Sequence, residues 1–441
     1  MDLLGTRPTR SSRLATISAI MDRPIVKEAR RANKNYLFWL GVVLCTLYQS
    51  YRYPLKIGDT GTSPTYSDTP LMLQAGKYIL GLPLIAISVV RWLSKSARLT
   101  RWSIAIGTLF LSSFSLLKIL DGYDSQYLGV SFWMIFSLIL VLSADSVSVS
   151  TIDKYFLILL VCAFGSTVLQ VFLFLAFGRL PGLAFEGSYL VRFGGFLDDP
   201  NGFAAIWFLL MGWSYKRFEG RTRVLILAGI VVSLLLTQSW TAIAFFLAML
   251  FFCVLVYAAK RPLYAVLAIC VLPFFVVFLV RAISWLQESF LGEMLEAKQS
   301  SIEEHTFPWT LWASKWTDWV LLGGWRYNTY ESWWPAAMVN FGVLWFGAYL
   351  VLITALLFYM QRASAKARPD ARPVYAGLLL FGCYFAFGSL NLPFPLIFPI
   401  NALFFLFFFL VAFRKIEAAD HATVPTIDRN WHRLEAKATS E

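Results

Sequence analysis

The sequence predicts an all-α membrane protein with about twelve transmembrane helices, and three observations point to this fold class. Of the 441 residues, 58% are hydrophobic and only 15% are charged, whereas a soluble domain has about 25% charged residues. The mean hydropathy over the whole chain is +0.63, which requires many apolar segments. These segments are continuously apolar and lack the alternation of β-barrel strands, which favours helices. The composition therefore excludes a soluble enzyme and a disordered chain.

Twelve segments have the length and composition of membrane-spanning helices, since a hydrocarbon core of about 30 Å requires about 20 residues per crossing. Hydropathy and turn residues place them at 36–51, 77–92, 102–118, 127–144, 155–178, 201–215, 223–237, 241–259, 263–281, 336–360, 373–390 and 396–413. The shortest connection, Gln238 to Trp240, predicts either a tight helical hairpin or a kink in one long helix.

Lysine and arginine are unevenly distributed between alternate connections. If the N-terminal end is cytoplasmic, the cytoplasmic segments hold 28 of the 38 basic residues and 12 of the 26 acidic residues. The inner face then carries a net charge of +16 and the outer face −4. This asymmetry follows the positive-inside rule and predicts that both termini are cytoplasmic. The net charge of +12 thus indicates orientation in a membrane, and not nucleic-acid binding.

The charge and hydropathy patterns divide the chain into three parts. A basic cytoplasmic tail at 1–35 precedes a transmembrane domain at 36–413, and a second cytoplasmic tail follows at 414–441. The first tail lacks the apolar stretch of a cleavable signal, so we expect both tails to be solvated or to lie on anionic lipid. The lipid bilayer is therefore the first expected partner.

The sequence contains no motif for a metal, a nucleotide or a dinucleotide cofactor. Its five cysteines all fall within apolar runs and form no closely spaced pair, so we expect them to be small core residues. We expect no cofactor and no metal.

The outer connection 282–335 is 54 residues long and holds eight of the 17 tryptophans. Four of them recur at offsets of three, seven and ten residues, which places them on one helical face. These four are Trp309, Trp312, Trp316 and Trp319. The face predicts a short interfacial helix at the level of the lipid headgroups, or a platform for the flat faces of sugar rings or for a lipid chain. The two roles are compatible.

A second outer connection, 179–200, ends in a polar and glycine-rich segment. Asp198 or Asp199 before Pro200 is typical of a helix N-cap. Gly194-Gly195 allows a close backbone approach by a ligand or a helix. Arg192 either extends toward the membrane surface or binds a phosphate through its planar guanidinium.

Other polar residues of the outer connections are candidates for a shared site. Arg281 and Arg326 either converge with Arg192 on a pyrophosphate group or are unrelated surface charges. His305 is either a general base near neutral pH or an ordinary surface residue. Glu331, Asp318 and Asp198 are the rival candidates for the base.

Three segments resemble the bacterial O-antigen ligase and polymerase superfamily. The string Arg-Phe-Gly-Gly-Phe-Leu-Asp-Asp-Pro-Asn-Gly-Phe-Ala-Ala from Arg192 to Ala205 resembles its arginine–glycine–asparagine block. Leu236 to Ala242 resembles its tight turn between two spans. Trp312 to Gly324, followed by Glu331 to Val343 with Asn340-Phe341-Gly342, resembles the end of its long periplasmic loop and the following helix. The resemblance covers roughly residues 155–360, in order.

This resemblance implies a metal-independent glycosyltransferase of the GT-C type in the bacterial inner membrane. Its donor would be an oligosaccharide on undecaprenyl pyrophosphate at the periplasmic face. Arg192 and Arg281 match the positions that hold the donor's pyrophosphate in the family, and Arg326, Asp198, Asn201, Trp312 and Trp316 are further substrate-binding candidates. Expected partners include a flippase and a chain-length regulator.

The chain departs from the ligases of this family at two positions. Ligases typically carry a His-Asn-type pair where this chain has Glu331-Ser332, and many members carry arginine where His305 stands. We therefore expect a polymerase of exopolysaccharide or O-antigen repeat units, with His305 or Glu331 as the catalytic base. The alternatives are an O-antigen ligase that transfers the glycan to lipid A-core, a transporter of lipid-linked glycans and a structural scaffold. The scarcity of ionisable residues inside the spans disfavours the transporter.

Overall fold

The computed structural model describes residues 35–47, 71–94, 101–120, 127–177, 183–186, 190–197, 199–259, 306–307, 309–310, 313–314, 323 and 332–417. Within these ranges the chain forms eleven helices and four short strands. The helices are α1 (Tyr36–Leu47), α2 (Leu71–Ser94), α3 (Trp102–Leu120), α4 (Tyr127–Ser143), α5 (Val149–Phe177), α6 (Pro200–Arg217), α7 (Gly220–Leu236), α8 (Trp240–Ala259), α9 (Trp333–Ala365), α10 (Arg372–Gly388) and α11 (Ile400–Ala412). The strands are β1 (Val147–Ser148), β2 (Leu183–Glu186), β3 (Leu190–Phe193) and β4 (Ile416–Glu417).

Eleven of the twelve predicted spans coincide with these helices, and the twelfth, 263–281, lies outside the described residues. Among the described residues, four helical segments are long and apolar enough to cross a membrane, namely 75–94, 102–120, 149–176 and 333–365. The fold is therefore that of a helical membrane-embedded protein. The number of twelve crossings and the GT-C architecture stay predictions.

The lateral surface of the helices is apolar, as a lipid-facing surface must be. Six of its aliphatic side chains are 69–83% exposed: Val90, Leu93, Leu120, Leu175, Leu225 and Val351. Cys45 is buried as predicted, but Cys162, Cys253 and Cys383 are exposed on this surface. The prediction of a core position was therefore wrong for these three cysteines, because an apolar run does not distinguish a lipid-facing residue from a core residue.

Helix α11 lies at the centre of the described bundle. It packs against α1, α4, α9 and α10, and none of its thirteen residues is more than 7% exposed. Phe404 stacks on Phe385 of α10 at a centroid distance of 4.0 Å. The helix begins at Ile400 instead of the predicted 396, because Pro395 and Pro399 lack the backbone N–H that a helix interior requires.

Helices α6 and α10 approach each other closely through glycines. A Cβ atom on Gly212 would lie 2.6 Å from the carbonyl oxygen of Ala376, and one on Gly377 would lie 2.7 Å from the carbonyl oxygen of Leu209. Small residues at such a contact let two backbones pack together where lipid supplies no hydrophobic driving force. This contact fixes α6, whose first turn carries the candidate site, against α10.

One end of the bundle, here called the tail end, joins segments that the distribution of lysine and arginine assigns to the cytoplasm. Strand β1 pairs in parallel with β4, so that Val147 aligns with Ile416. The Asn35 side chain donates a hydrogen bond to the carbonyl oxygen of Ser146, and Arg91 forms a salt bridge of 3.1 Å with Asp145. The predicted tails and two predicted cytoplasmic connections therefore meet at this end.

The opposite end, here called the loop end, joins segments that the distribution of lysine and arginine assigns to the outer face. The Asn391 amide donates to the hydroxyl of Thr241 at 3.1 Å, and the Trp309 indole donates to the carbonyl oxygen of Leu390 at 3.3 Å. The antiparallel hairpin of β2 and β3 also belongs to a predicted outer connection, 179–200. Sequence patterns gave no sign of this short hairpin, which is an addition to an otherwise helical fold.

Candidate functional site

Four elements meet around Arg192 at the loop end. They are strand β3, the 3₁₀ turn Gly195–Leu197, the start of α6 and the turn between α7 and α8. The residues Arg192, Gly195, Asp199, Asn201 and Thr237 are here called the Arg192 cluster. The hairpin of β2 and β3 delivers Arg192 to the cluster from the outer connection.

The guanidinium of Arg192 is turned inward, and the residue is only 8% exposed. Its Nη2 donates a hydrogen bond of 2.9 Å to Asn201 Oδ1. Its Nε donates one of 3.3 Å to the carbonyl oxygen of Thr237. An arginine that extends toward the membrane surface would be exposed, so this alternative is excluded. Arg192 and Asn201, both predicted from the sequence as site residues, are brought together.

Asp199 is the N-cap of α6. Its carboxylate accepts hydrogen bonds from the backbone N–H groups of Asn201 and Gly202, each at 3.0 Å, and Pro200 occupies the first helical turn. The N-cap prediction is confirmed for Asp199. The cap places Asn201 in the first turn of α6, where its amide oxygen faces Arg192.

Gly195 adopts a left-handed conformation with φ of 56°. Its backbone N–H donates to Gln170 Oε1 at 2.9 Å, and its carbonyl oxygen accepts from Gln170 Nε2 at 3.2 Å. A Cβ atom at this position would collide with the ring of Phe203. The close approach predicted at this glycine is therefore made by two side chains of the protein, those of Phe203 and Gln170. Sequence reasoning missed Gln170, although a glutamine within an apolar span is a visible signal.

The connection between α7 and α8 is a tight turn, which confirms the predicted hairpin and excludes one kinked helix. Gln238 has a left-handed φ of 47°, and its N–H bonds to the carbonyl oxygen of Leu235 at 3.0 Å. The Thr237 hydroxyl donates to the carbonyl oxygen of Leu234 at 2.6 Å. The carbonyl oxygen of Thr237 can then accept from Arg192, because the helix ends here and leaves it outside the helical ladder.

Tyr384 of α10 contributes a buried hydroxyl to the same region. Its hydroxyl lies beside the side chain of Ser239 in the turn between α7 and α8, with Asp199 and Arg192 nearby. Tyr384 therefore connects α10 to the Arg192 cluster. Sequence reasoning missed Tyr384, since one tyrosine in an aromatic-rich span gives no signal.

The end of the long outer loop reaches α9 at a second point of the loop end. Gly323 has a φ of 65°, and a Cβ atom there would lie 2.5 Å from the carbonyl oxygen of Asn340. Gly342 interrupts the helical conformation of α9 with a φ of 82°. Lys118 Nζ donates to the carbonyl oxygen of Gly323 at 3.5 Å. Gly323 and the Asn340-Phe341-Gly342 segment therefore lie in contact, and both belong to the motifs that resemble the O-antigen ligase and polymerase superfamily.

Most other candidate site residues lie outside the described residues. They are Asp198, Arg281, His305, Trp312, Trp316, Arg326 and Glu331. The described residues of the tryptophan-rich segment, namely 306, 307, 309, 310, 313 and 314, are helical, in line with the predicted interfacial helix. Among all described residues, no group of three histidine, cysteine or acidic side chains could hold a metal ion.

The Arg192 cluster presents a buried, oriented guanidinium at one end of a membrane-embedded bundle. A planar guanidinium is well suited to the oxygens of a phosphate group. No protein-family model matches the chain, and no curated protein matches it. The resemblance to the O-antigen ligase and polymerase superfamily therefore stays a prediction from the motifs.

Proposed function

We propose that this protein is a metal-independent glycosyltransferase that polymerises polysaccharide repeat units carried on undecaprenyl pyrophosphate. It would work at the periplasmic face of the bacterial inner membrane, with the loop end outside and the tail end in the cytoplasm. The product would be an exopolysaccharide or an O-antigen. The proposal combines the family resemblance of the motifs with the geometry of the Arg192 cluster.

The single observation that carries the proposal is the placement of Arg192. Two of its acceptors, Asn201 Oδ1 and Thr237 O, are neutral atoms that orient the guanidinium. Burial strengthens the attraction of a positive charge to an anion. A pyrophosphate at the loop end would be one such anion. The apolar lateral surface would accommodate the polyprenyl chain of the same donor.

The proposed reaction is an inverting transfer. A hydroxyl of the acceptor sugar attacks the anomeric carbon of the donor, the bond from that carbon to the pyrophosphate oxygen breaks, and the electron pair leaves with undecaprenyl pyrophosphate. Arg192 and Arg281 neutralise the charge on the leaving group, and one preorganised donor of this kind contributes about 3 kcal/mol to the transition state. His305 or Glu331 takes the hydroxyl proton.

The remaining candidates would position the substrates. Trp312 and Trp316 would stack on the flat faces of sugar rings. Asp198, Asn201 and Arg326 would contact the donor near its pyrophosphate. A flippase that supplies the donor and a regulator of chain length are the proposed partners.

The deciding experiment uses the purified full-length protein with lipid-linked oligosaccharide in liposomes. Formation of new glycosidic bonds between repeat units, detected by mass spectrometry, is the expected result. Movement of the lipid between leaflets without new bonds would instead identify a transporter. If neither occurs, the scaffold becomes the better explanation.

A companion experiment separates the polymerase from the ligase in cells. Deletion of a polymerase leaves single repeat units on the lipid carrier, which is the expected result. Deletion of a ligase leaves full-length polymer that is not attached to lipid A-core. The two products differ in size and are resolved by gel electrophoresis.

A further inference from the structure

A cavity of about 410 Å³ opens at the tail end, at the opposite end of the bundle from the Arg192 cluster. It lies between the start of α3, the last turns of α9 and the end of α11. Its lining residues are Arg101, Phe358, Tyr359, Arg362, Ala363, Lys366, Val411 and Arg414. This volume suits a small polar group rather than a whole lipid or an oligosaccharide.

Four of the eight lining residues are basic, and none is acidic. Arg101 is held in place by Tyr359, since its Nη1 donates to the phenol oxygen at 3.0 Å and its guanidinium lies 4.5 Å from the ring centroid. The ion pairs formed between described residues at this end use other basic groups. These pairs are Arg91 with Asp145, Arg217 with Asp153, and Arg368 with Asp370.

Helix electrostatics account for only part of this basic cluster. Arg362 and Lys366 lie at the C-terminal end of α9, where the helix dipole favours a cation. Arg101, in contrast, precedes the first turn of α3, where the dipole disfavours a cation. Arg414 follows α11 in a left-handed conformation with φ of 54°, which is unusual for a residue with a side chain. An anion bound in the cavity would stabilise the positive charges of all four side chains.

The same cavity has an apolar wall that continues onto the lateral surface. Phe358, Ala363 and Val411 form this wall, and Phe358 is 55% exposed on α9. A ligand that fits both halves carries an anionic head and an apolar tail. An anionic phospholipid has this chemistry, whereas free phosphate would use only the basic half.

We propose that this cavity binds the headgroup of an anionic phospholipid, with its acyl chains against Phe358. The tail end is the predicted cytoplasmic end, and basic pockets between transmembrane helices on that side recognise anionic lipid headgroups. The site is separate from the Arg192 cluster, and its occupancy does not depend on the proposed glycosyltransferase activity.

The test measures lipid binding to the purified, delipidated full-length protein by native mass spectrometry. The probes are phosphatidylglycerol, phosphatidylcholine with the same acyl chains, and inorganic phosphate. We expect phosphatidylglycerol to bind more tightly than phosphatidylcholine. The triple variant R101Q/R362Q/R414Q should weaken the binding of phosphatidylglycerol by about 100-fold, because each basic group near the surface contributes about fivefold to the attraction.

A control with the same charge change is K154Q/K216Q/R221Q, which neutralises three exposed cations away from the cavity in predicted cytoplasmic segments. This variant should keep wild-type binding of phosphatidylglycerol. Equal losses in the two triple variants would overturn the proposal, since they would report only the net charge of this face. Binding of inorganic phosphate without preference for phosphatidylglycerol over phosphatidylcholine would also overturn it. If the cavity variant does not fold, R362Q alone should still show a loss of several fold.

Discussion

Arg192 and Asn201 are joined by a hydrogen bond of 2.9 Å between the guanidinium Nη2 and the amide oxygen. Arg192 lies in β3, the second strand of the outer hairpin, and Asn201 lies in the first turn of α6. The bond therefore couples the outer connection to a helix that is fixed in the bundle. The amide oxygen therefore orients the guanidinium.

We predict that Arg192→Ala greatly reduces polymer formation and that Arg192→Lys reduces it less. Lysine keeps the positive charge but loses the planar geometry that bonds to both Asn201 and Thr237. The loss in rate should be about 100-fold for alanine, as for removal of one preorganised donor. Polymer length in a deletion strain and initial rates with the purified protein measure the effect.

Arg217→Ala is the matched control for Arg192→Ala. It removes one positive charge as well, but from the last residue of α6 at the tail end, where Arg217 pairs with Asp153. Its polymer should have wild-type length. A well-expressed Arg192→Ala protein that makes wild-type polymer would refute the role of Arg192 in binding pyrophosphate.

We predict that Asn201→Asp inactivates the protein without destabilising it. The substitution keeps an oxygen acceptor for Arg192, but adds a negative charge that competes with the donor's pyrophosphate. Melting in detergent and donor binding are the measurements. Asn201→Ser, which keeps a smaller neutral acceptor, should retain more activity than the aspartate variant. An active aspartate variant would count against an anionic ligand at Arg192.

We predict that Gly195→Ala is strongly destabilising because two effects act together. The left-handed conformation costs an L-residue about 1–2 kcal/mol, and the added methyl would collide with the buried ring of Phe203. Overpacking adds about 1–3 kcal/mol. The melting temperature of the purified protein in detergent measures the sum.

Gly220→Ala separates the two effects. Gly220 has nearly the same φ, 54°, but no atom lies within 4 Å of an added Cβ. Its substitution should therefore show the conformational cost alone. Equal melting temperatures for the two alanine variants would mean that the contact with Phe203 contributes nothing.

We predict that Gly377→Ala disrupts the contact between α6 and α10. The added methyl would lie 2.7 Å from the carbonyl oxygen of Leu209, so the two backbones would have to separate. We expect a loss of folded protein in the membrane together with lower thermal stability. Gly165→Ala in α5, where no atom lies within 4 Å, should be neutral. A neutral Gly377→Ala would show that the helices can move apart without cost.

Hydropathy predicted the helices well, because each apolar run long enough to cross a bilayer has few alternatives to a helix. Proline also marked where α6 begins, at Pro200. The early start of α5 at Val149 was not predicted, since its first turn contains Ser150, Thr151 and Asp153, which read as a polar connection. The apolar runs did not reveal the exposed cysteines, because the lipid and the protein core are both apolar.

At the candidate site, the sequence predicted the residues that carry distinctive chemistry. Arg192 and Asn201 stood out because charged and amide groups are rare next to apolar spans. Gln170 and Tyr384 were missed, since their roles come from helices that are distant in sequence and meet only in the folded bundle. Contacts of this kind depend on helix packing, which local patterns do not specify.

The central position of α11 has a consequence for the order in which the protein is made. This helix follows every other described helix in sequence, yet it is buried on all sides. During synthesis the earlier helices enter the membrane first, and they must leave a space for α11 until its residues emerge from the ribosome. The described bundle can therefore reach its final packing only after α11 has been translated.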